Sequence, residues 1–152
     1  MKVTGEILIR APRQKVFDAI KDARFFASCV DGVQDLTEIS ANHYTAVFET
    51  RVAYMKFRFN VTVEVTRMEE PSEIEAKIEG TPLGVVGRLT ARSVTRLVAA
   101  GDDTRVTYET ESTLAGKLGS IGQPVLRAKA KEMEKQFAKR LQAAFDEAPG
   151  ES

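Results

Sequence analysis

Residues 57–65 read FRFNVTVEV, the stretch of this chain in which apolar and polar residues alternate most regularly. Every odd position is apolar and every even position is polar. Successive side chains of a β-strand point to opposite faces, so this alternation predicts a strand with one buried and one solvated face.

The same period of two recurs on both sides of this strand, from residue 33 to residue 114. It is seen at residues 44–49, 74–79 and 106–109. Turn-forming residues at 41–42, 70–72 and 101–103 separate neighbouring runs by only a few positions. These connections are too short for crossover helices, so an antiparallel meander is predicted.

A different pattern precedes the meander. Residues 5–10, GEILIR, predict a short strand that stops at Ala11-Pro12. Helical spacing of apolar residues then predicts one short helix over 13–21 and a second over 22–29, where Asp22 can cap the helix.

A long helix is predicted after Pro124, because nothing breaks the helical pattern from there to residue 144. At 1.5 Å per residue, about 22 residues span roughly 33 Å, which matches the width of a sheet. The predicted apolar stripe is formed by Leu126, Ala130, Met133, Phe137, Leu141 and Ala144. Arg127, Lys131, Glu134 and Lys135 are placed on the opposite, polar face.

Together these patterns predict the α+β helix-grip fold, a curved antiparallel sheet of about seven strands around a long C-terminal helix. Two short helices follow the first strand. Residues 1–147 are expected to form a single ligand-binding domain, and residues 148–152 a flexible tail.

Composition excludes several kinds of protein. The 152 residues include 22 basic and 22 acidic side chains, one cysteine and one histidine. Balanced charge argues against nucleic-acid binding, and the single Cys29 cannot form an internal disulfide. We expect a cytoplasmic protein without a metal or another cofactor. Residues 117–140 contain seven basic and two acidic residues, an excess of positive charge that could favour binding to an anionic surface.

The inner face of the predicted sheet carries small and polar residues where a packed core would carry large aliphatic ones. Ser93, Thr95, Thr110 and Ser112 are examples. Since protein interiors are close-packed, this pattern predicts a cavity beneath the long helix. On the outer face, Arg92 and Arg96 are expected to meet Glu109 and Glu111 across a hairpin.

No catalytic motif stands out. His43 follows Asn42 in a predicted turn, and Cys29 is expected to be a small buried residue. Residues 116–122, GKLGSIG, lack the spacing of a phosphate-binding loop and are interpreted as a hinge at the mouth of the cavity.

The order of elements resembles the START-like (SRPBCC, Bet v 1-like) superfamily, and more narrowly the CoxG family of carbon monoxide dehydrogenase G-subunits. The resemblance covers residues 1 to about 145. It is carried by residues 5–12 followed by Val16-Phe17, by FASCVDG at 26–32, and by GKLGSIG at 116–122 leading into FAKRL at 137–141. The chain departs from the family pattern at Asp31, where proline is usual, and at 53–55, where a glycine-rich turn is usual.

The resemblance implies a non-catalytic accessory protein that carries a quinone or similar lipid and connects a molybdenum-containing dehydrogenase to the inner face of the membrane. Two alternatives remain open: an aromatase/cyclase-type enzyme that uses Tyr108 and Tyr54, and a chaperone-like module that binds protein. The ligand is predicted to enter past Tyr54, Leu83 and the 116–122 segment. The predicted pocket is lined by Phe26, Phe48, Tyr54, Phe57, Phe59, Leu83, Leu89, Ala91, Ser93, Tyr108, Thr110, Leu118, Ile121, Val125, Leu126 and Met133.

Overall fold

The computed structural model describes residues 1–146 and contains seven strands, two short α-helices, one 3₁₀ turn and one long helix. The predicted flexible tail at 148–152 lies outside the described residues. The elements are β1 (Lys2–Ile9), α1 (Arg13–Ile20), α2 (Ala23–Ser28), β2 (Val33–Ser40), β3 (His43–Val52), β4 (Met55–Glu69), β5 (Glu73–Pro82), β6 (Gly87–Ala100), β7 (Asp103–Gly116), the 3₁₀ turn (Lys117–Ser120) and α3 (Gln123–Asp146).

All seven strands join one antiparallel sheet in the order β1-β7-β6-β5-β4-β3-β2. The predicted fold class is confirmed: β2 to β7 form a meander, and β1 adds to its far edge by pairing with β7. The alternating segment at 57–65 is the centre of the longer β4. β1 and β2 therefore lie at opposite edges of the sheet although α1 and α2 alone separate them in sequence.

The two short helices begin where the sequence predicts. Pro12 precedes α1 with the extended backbone that suits a helix start. The Asp22 carboxylate accepts hydrogen bonds from the backbone N–H groups of Arg24 and Phe25, at 2.9 and 3.3 Å, and so caps α2. These caps fix the path that carries the chain from one sheet edge to the other.

Two separate hydrophobic cores lie on the sheet, and the first of them joins it to α1 and α3. The first core joins α1, β1, the β6–β7 end of the sheet and the C-terminal part of α3, with Phe17, Leu97, Val106, Leu141 and Phe145 buried in it. The second core lies toward the opposite end of the strands. It consists of Val52, Phe57, Phe59 and Leu118, with partly buried side chains packed around them.

The apolar stripe of α3 differs from the prediction at its C-terminal end. Phe145 is buried and Ala144 is exposed. Residues three and four positions after Leu141 both lie near its face of the helix, and Phe145 is the one whose side chain packs into the first core. The remaining predicted stripe residues are buried or half-buried.

The arginines of β6 form an ion-paired outer face, but their partners lie on a different strand from the predicted one. Arg92 contacts Glu75 at 3.7 Å and Arg96 contacts Glu73 at 3.1 Å, both on β5. Glu111 does lie opposite Arg92 in the β6–β7 register, while Glu109 pairs with Lys2 of β1. The prediction considered only β7 as a neighbour of β6, whereas β6 also pairs with β5.

Within residues 1–146, no helix combines the length and the apolar character needed to cross a membrane.

Candidate functional site

The concave face of the sheet is incompletely covered between the two cores. Along β6 and β7, Ser93 pairs with Thr110 and Ala91 with Ser112, and all four residues are only half-buried. The Thr110 hydroxyl lies 3.5 Å from that of Ser93, a distance at the limit for a hydrogen bond. The middle of the sheet thus presents small side chains and hydroxyl groups that no core residue covers.

Two grooves flank the first half of α3, and neither is lined by Ser93, Thr110 or another residue of β6 and β7. A groove of about 600 Å³ lies between the β3–β4 turn and α3, with Val52 and Ala53 on one side and Val125 and Ala128 on the other. A second groove of about 520 Å³ lies between β1 and α3. Small side chains such as Ala128, which lines both grooves, leave space that leucine would fill.

One polar contact links this half of α3 to the sheet. The Tyr108 hydroxyl donates a hydrogen bond to the Glu134 carboxylate at 2.5 Å. Burial, and then the hydrogen bond to Glu134 and its negative charge, raise the pKa of the Tyr108 phenol well above its usual range. The phenol therefore remains a hydrogen-bond donor at neutral pH.

Gly5 makes the position of Tyr108 possible. The two residues are paired across β1 and β7, and a Cβ at residue 5 would overlap the ring and hydroxyl of Tyr108. The absence of a side chain on β1 lets the tyrosine lie across that strand and reach α3.

Glu134 and Gly5 were not predicted as site residues, and Glu134 was assigned to the polar face of the helix. The structure corrects this assignment, because Glu134 is half-buried and faces Tyr108. A signal was present in the sequence: Glu134 lies four residues after Ala130 and three before Phe137, so it shares a face with both.

The predicted pocket residues fall into three groups. Six lie in the incompletely covered middle region, where they are half-buried: Ala91, Ser93, Tyr108, Thr110, Leu126 and Met133.

A second group belongs to the second core, where the residues pack against each other. Phe59 stacks on Phe48 and Phe57 with ring centroids 6.2 and 6.1 Å apart. This group contains Phe48, Phe57, Phe59, Leu89, Leu118 and Ile121. These residues have a packing role at one end of the sheet, where Leu118 of the 3₁₀ turn is buried together with Val52, Phe57 and Phe59.

The third group is exposed. Phe26 packs partly against Phe137 of α3, with ring centroids 5.1 Å apart. Tyr54 and Leu83 lie at the tips of the β3–β4 and β5–β6 connections, where the ligand was predicted to enter. Val125 is partly exposed and lines the first groove.

The segment 116–122, where a hinge is predicted, is held to the sheet by several contacts. Its residues 117–120 form the 3₁₀ turn, Leu118 is fully buried, and the backbone N–H of Lys117 donates to the carbonyl of Val86 at 2.8 Å. Gly116 has a φ of 67°, which favours glycine, and it lies against Gly87 too closely for a Cβ. Close packing between the two glycines joins the turn to β6.

The remaining candidates for chemistry lie apart from this region or are shielded. Cys29 is buried, as predicted, and burial raises the pKa of its thiol. His43 is a half-buried first residue of β3, where an exposed turn residue was predicted, because β3 begins one residue earlier than the turn pattern indicates. Within residues 1–146, no three His, Cys, Asp or Glu side chains are grouped as a metal site.

The two departures from the expected family pattern have local structural effects. Asp31 contacts Arg140 of α3 at 3.0 Å and thereby links the start of β2 to the helix. Ala53 occupies the β3–β4 turn with a φ of 56°, a conformation that favours glycine.

Comparisons with known proteins agree with this architecture. The model of the CoxG family, whose name denotes the G-subunit of carbon monoxide dehydrogenase, matches residues 5–145. No curated protein matches the sequence.

Several solved structures share the fold. A conserved protein from Geobacillus kaustophilus has a TM-score of 0.88 at 23% identity, covering 97% of both chains. A START superfamily protein from Mycobacterium smegmatis has a TM-score of 0.75 at 12% identity over 97% of this chain and 98% of the other. The Zhui aromatase/cyclase from Streptomyces sp. R1128 has a TM-score of 0.66 at 11% identity, covering 96% and 93%.

Proposed function

The chain belongs to the CoxG family of carbon monoxide dehydrogenase G-subunits, and on that premise we propose that residues 1–147 form one domain that binds an apolar small molecule without transforming it. The ligand is quinone-like or lipid-like, and it lies between the first half of α3 and the concave face of the sheet. The observation that carries this proposal is the half-buried region of small residues between two separate cores.

Packing physics supports a ligand in this position. Protein interiors are close-packed, and side chains beside unfilled space lose dispersion contacts. An apolar molecule would restore those contacts, and the hydroxyls of Ser93, Thr110 and Tyr108 would supply the few polar groups that orient a bound ligand.

The family name supports a partner as well as a ligand. It points to a carbon monoxide dehydrogenase as the partner. We propose in addition that this partner is a molybdenum-containing enzyme and that the protein helps to connect it with the inner face of the membrane. In this role the protein would be cytoplasmic and would visit the membrane peripherally. The basic side chains of α3, including Lys131 and Lys135, would assist docking to anionic lipid or to an acidic partner.

Native mass spectrometry of protein purified without detergent, followed by organic extraction, tests the proposal. We expect a quinone or lipid to accompany the protein, or an added quinone to bind it. The designed variant Thr110→Leu fills the middle region and should weaken quinone uptake at least about tenfold.

The matched control is Thr113→Leu, which makes the same change at an exposed position of β7 and should bind as the unaltered protein does. Bare protein that also fails to bind quinones and fluorescent lipids would contradict the proposal.

An aromatase/cyclase-type activity is the second candidate, and the Tyr108–Glu134 contact favours it. A phenol held against a carboxylate can exchange a proton with a bound substrate, and one protein of this fold is an aromatase/cyclase. Turnover of polyketide-like substrates would support an enzyme, and full turnover in a Tyr108→Phe variant would eliminate this role for the tyrosine.

A further inference from the structure

One end of the sheet exposes large apolar side chains on two separate connections. At the β3–β4 turn, Tyr54 is 97% exposed and Met55 is more than half exposed. At the neighbouring β5–β6 connection, Val86 is 76% exposed and Leu83 is half exposed. Grouped apolar exposure of this kind is unusual in a monomer and marks an interaction surface. We call this end the tip surface, comprising residues 50–60, 80–90 and 115–129.

The tip surface is also basic. Its three segments contain seven lysine and arginine residues and no aspartate or glutamate. The nearest acids in the sequence on β3 and β5, Glu49 and Glu79, are themselves ion-paired with basic residues of the tip surface. Within residues 1–146, Arg51, Lys117 and Arg127 have no carboxylate within 4 Å.

The opposite end of the strands carries acidic turns, whose glutamates are ion-paired. The β4–β5 turn region contains Glu69, Glu70 and Glu73, and the β6–β7 turn contains Asp102 and Asp103. Glu69 and Glu73 contact Arg67 and Arg96, and Glu70 contacts Lys21. Within residues 1–146, Asp102 and Asp103 have no cation within 4 Å, so a modest separation of charge along the strands remains. Such a separation orients the molecule in the field of an anionic surface.

We infer that the tip surface docks on an anionic lipid bilayer, with the two connections entering the interface. The distance between the apolar tips and the nearby cations favours a bilayer over an acidic protein as the partner. Strands advance about 3.3 Å per residue, so Arg51 and Lys56, three and two residues from Tyr54, lie within roughly 10 Å of the apolar tip. Side chains that enter about 5–10 Å would reach the acyl boundary while these cations remain beside the lipid phosphates.

This docking rests on the proposed function in one respect: the predicted entrance past Tyr54 and Leu83 would then open toward the bilayer. It also differs from docking through the exposed basic face of α3, because the tip surface combines charge with apolar insertion. The two surfaces can therefore be separated by substitution.

Co-sedimentation of the full chain with vesicles tests the inference. We expect binding to vesicles of about 70% phosphatidylcholine and about 30% phosphatidylglycerol, and binding at least about tenfold weaker to phosphatidylcholine alone. The variant Tyr54→Ser/Val86→Ser removes the apolar tips, and Arg51→Glu/Lys117→Glu reverses two cations. Each should weaken binding to anionic vesicles at least about tenfold.

Matched controls carry the same changes away from the tip surface. Ile39→Ser/Val98→Ser replaces two other exposed apolar residues, and Arg10→Glu/Lys15→Glu reverses two exposed cations. Both controls should bind within about twofold of the unaltered protein. Circular dichroism of every variant should show that it is folded.

Three outcomes would overturn the inference. One is no binding to anionic vesicles, the second is equal binding by tip and control variants, and the third is loss of binding only in Lys131→Glu/Lys135→Glu. Capture by polyglutamate without vesicle binding would identify an acidic protein surface instead and would also overturn it. Quinone uptake in solution distinguishes the two proposals: if uptake fails and vesicle docking persists, only the proposed ligand function is lost.

Discussion

Tyr108 contributes both an apolar ring and a polar hydroxyl group to the candidate site. Its ring lies across Gly5 on β1, and its hydroxyl donates to Glu134 on α3. Because the folded protein holds the phenol protonated, the hydrogen bond contributes stability in full below the ordinary phenol pKa of 10.0.

We expect this contribution to be lost as the pH rises above about 10, since the unfolded chain then releases a proton that the folded protein retains. Urea unfolding between about pH 7 and pH 11 should show a steeper fall of the unfolding free energy above about pH 10 in the unaltered protein than in Tyr108→Phe. If the unfolding free energies of the two proteins fall in parallel with pH, the raised pKa of Tyr108 is contradicted.

Gly5→Ala should destabilise the protein through steric overlap with Tyr108. Forcing a methyl group into a packed position costs about 1–3 kcal/mol. Gly122→Ala is the control, since a Cβ there meets only Pro124 at 3.8 Å. Chemical unfolding would measure both, and the cost of Gly5→Ala should shrink in a Tyr108→Val background. An unchanged cost in that background would locate the overlap elsewhere.

At the scale of secondary-structure elements, α3 has two halves with different attachments. Leu141 and Phe145 are buried in the first core, whereas Leu126 and Met133 are only half-buried above the middle region. Apolar contact is therefore concentrated in the C-terminal half, while Tyr108–Glu134 is a polar link near the middle. Opening of the first half would leave the first core in place.

We expect Leu141→Ala to cost about 2–5 kcal/mol of unfolding free energy and Leu126→Ala markedly less, because only the first creates a fully buried cavity. Urea unfolding provides this comparison. Hydrogen exchange should be faster in residues 123–133 than in residues 137–145. Uniform exchange along α3, or equal costs for the two leucine substitutions, would show that the helix is held evenly.

The sequence predicts elements better than contacts between them. Period-two runs and one long helical run are local signals, and they were sufficient for the meander, the two short helices and α3. The partner strand of Arg92 was not predictable in this way, because β6 offers acidic neighbours on both β5 and β7. The burial of Leu118 depends on tertiary packing, so the glycines around it did not indicate the 3₁₀ turn that the structure shows.

The candidate site shows the same limit. The small inner residues of β6 and β7 were predictable, since they follow from strand periodicity. Helical spacing places Glu134 at the border of the apolar stripe, but it does not show that the carboxylate turns inward, because that requires a donor such as Tyr108 opposite it. Whether Tyr108 lies opposite Glu134 depends on the position of α3 over the sheet.

At the scale of the whole molecule, ligand binding and folding are linked. A ligand that binds only the folded protein adds about 2.7 kcal/mol of stability at about one hundred times its dissociation constant. For a chain of this size we expect the melting temperature to rise by about 5–10 °C with a saturating quinone. Differential scanning calorimetry would measure this rise, and Thr110→Leu should abolish most of it. A rise of equal size in Thr110→Leu would locate the ligand outside the middle region.

The pairing of β1 with β7 has a consequence for how the protein is made. Ile9 lies opposite Thr104, so β1 cannot pair with β7 until almost a hundred further residues have been synthesised. The first core has the same requirement, because it joins Phe17 with Leu97, Val106 and Leu141. Hairpins from β2 to β6 can form as they are synthesised, but contacts of such long range form late. Until then the apolar side of α1 lacks the partners that bury it, and we expect the incomplete chain to be most prone to aggregation in this interval.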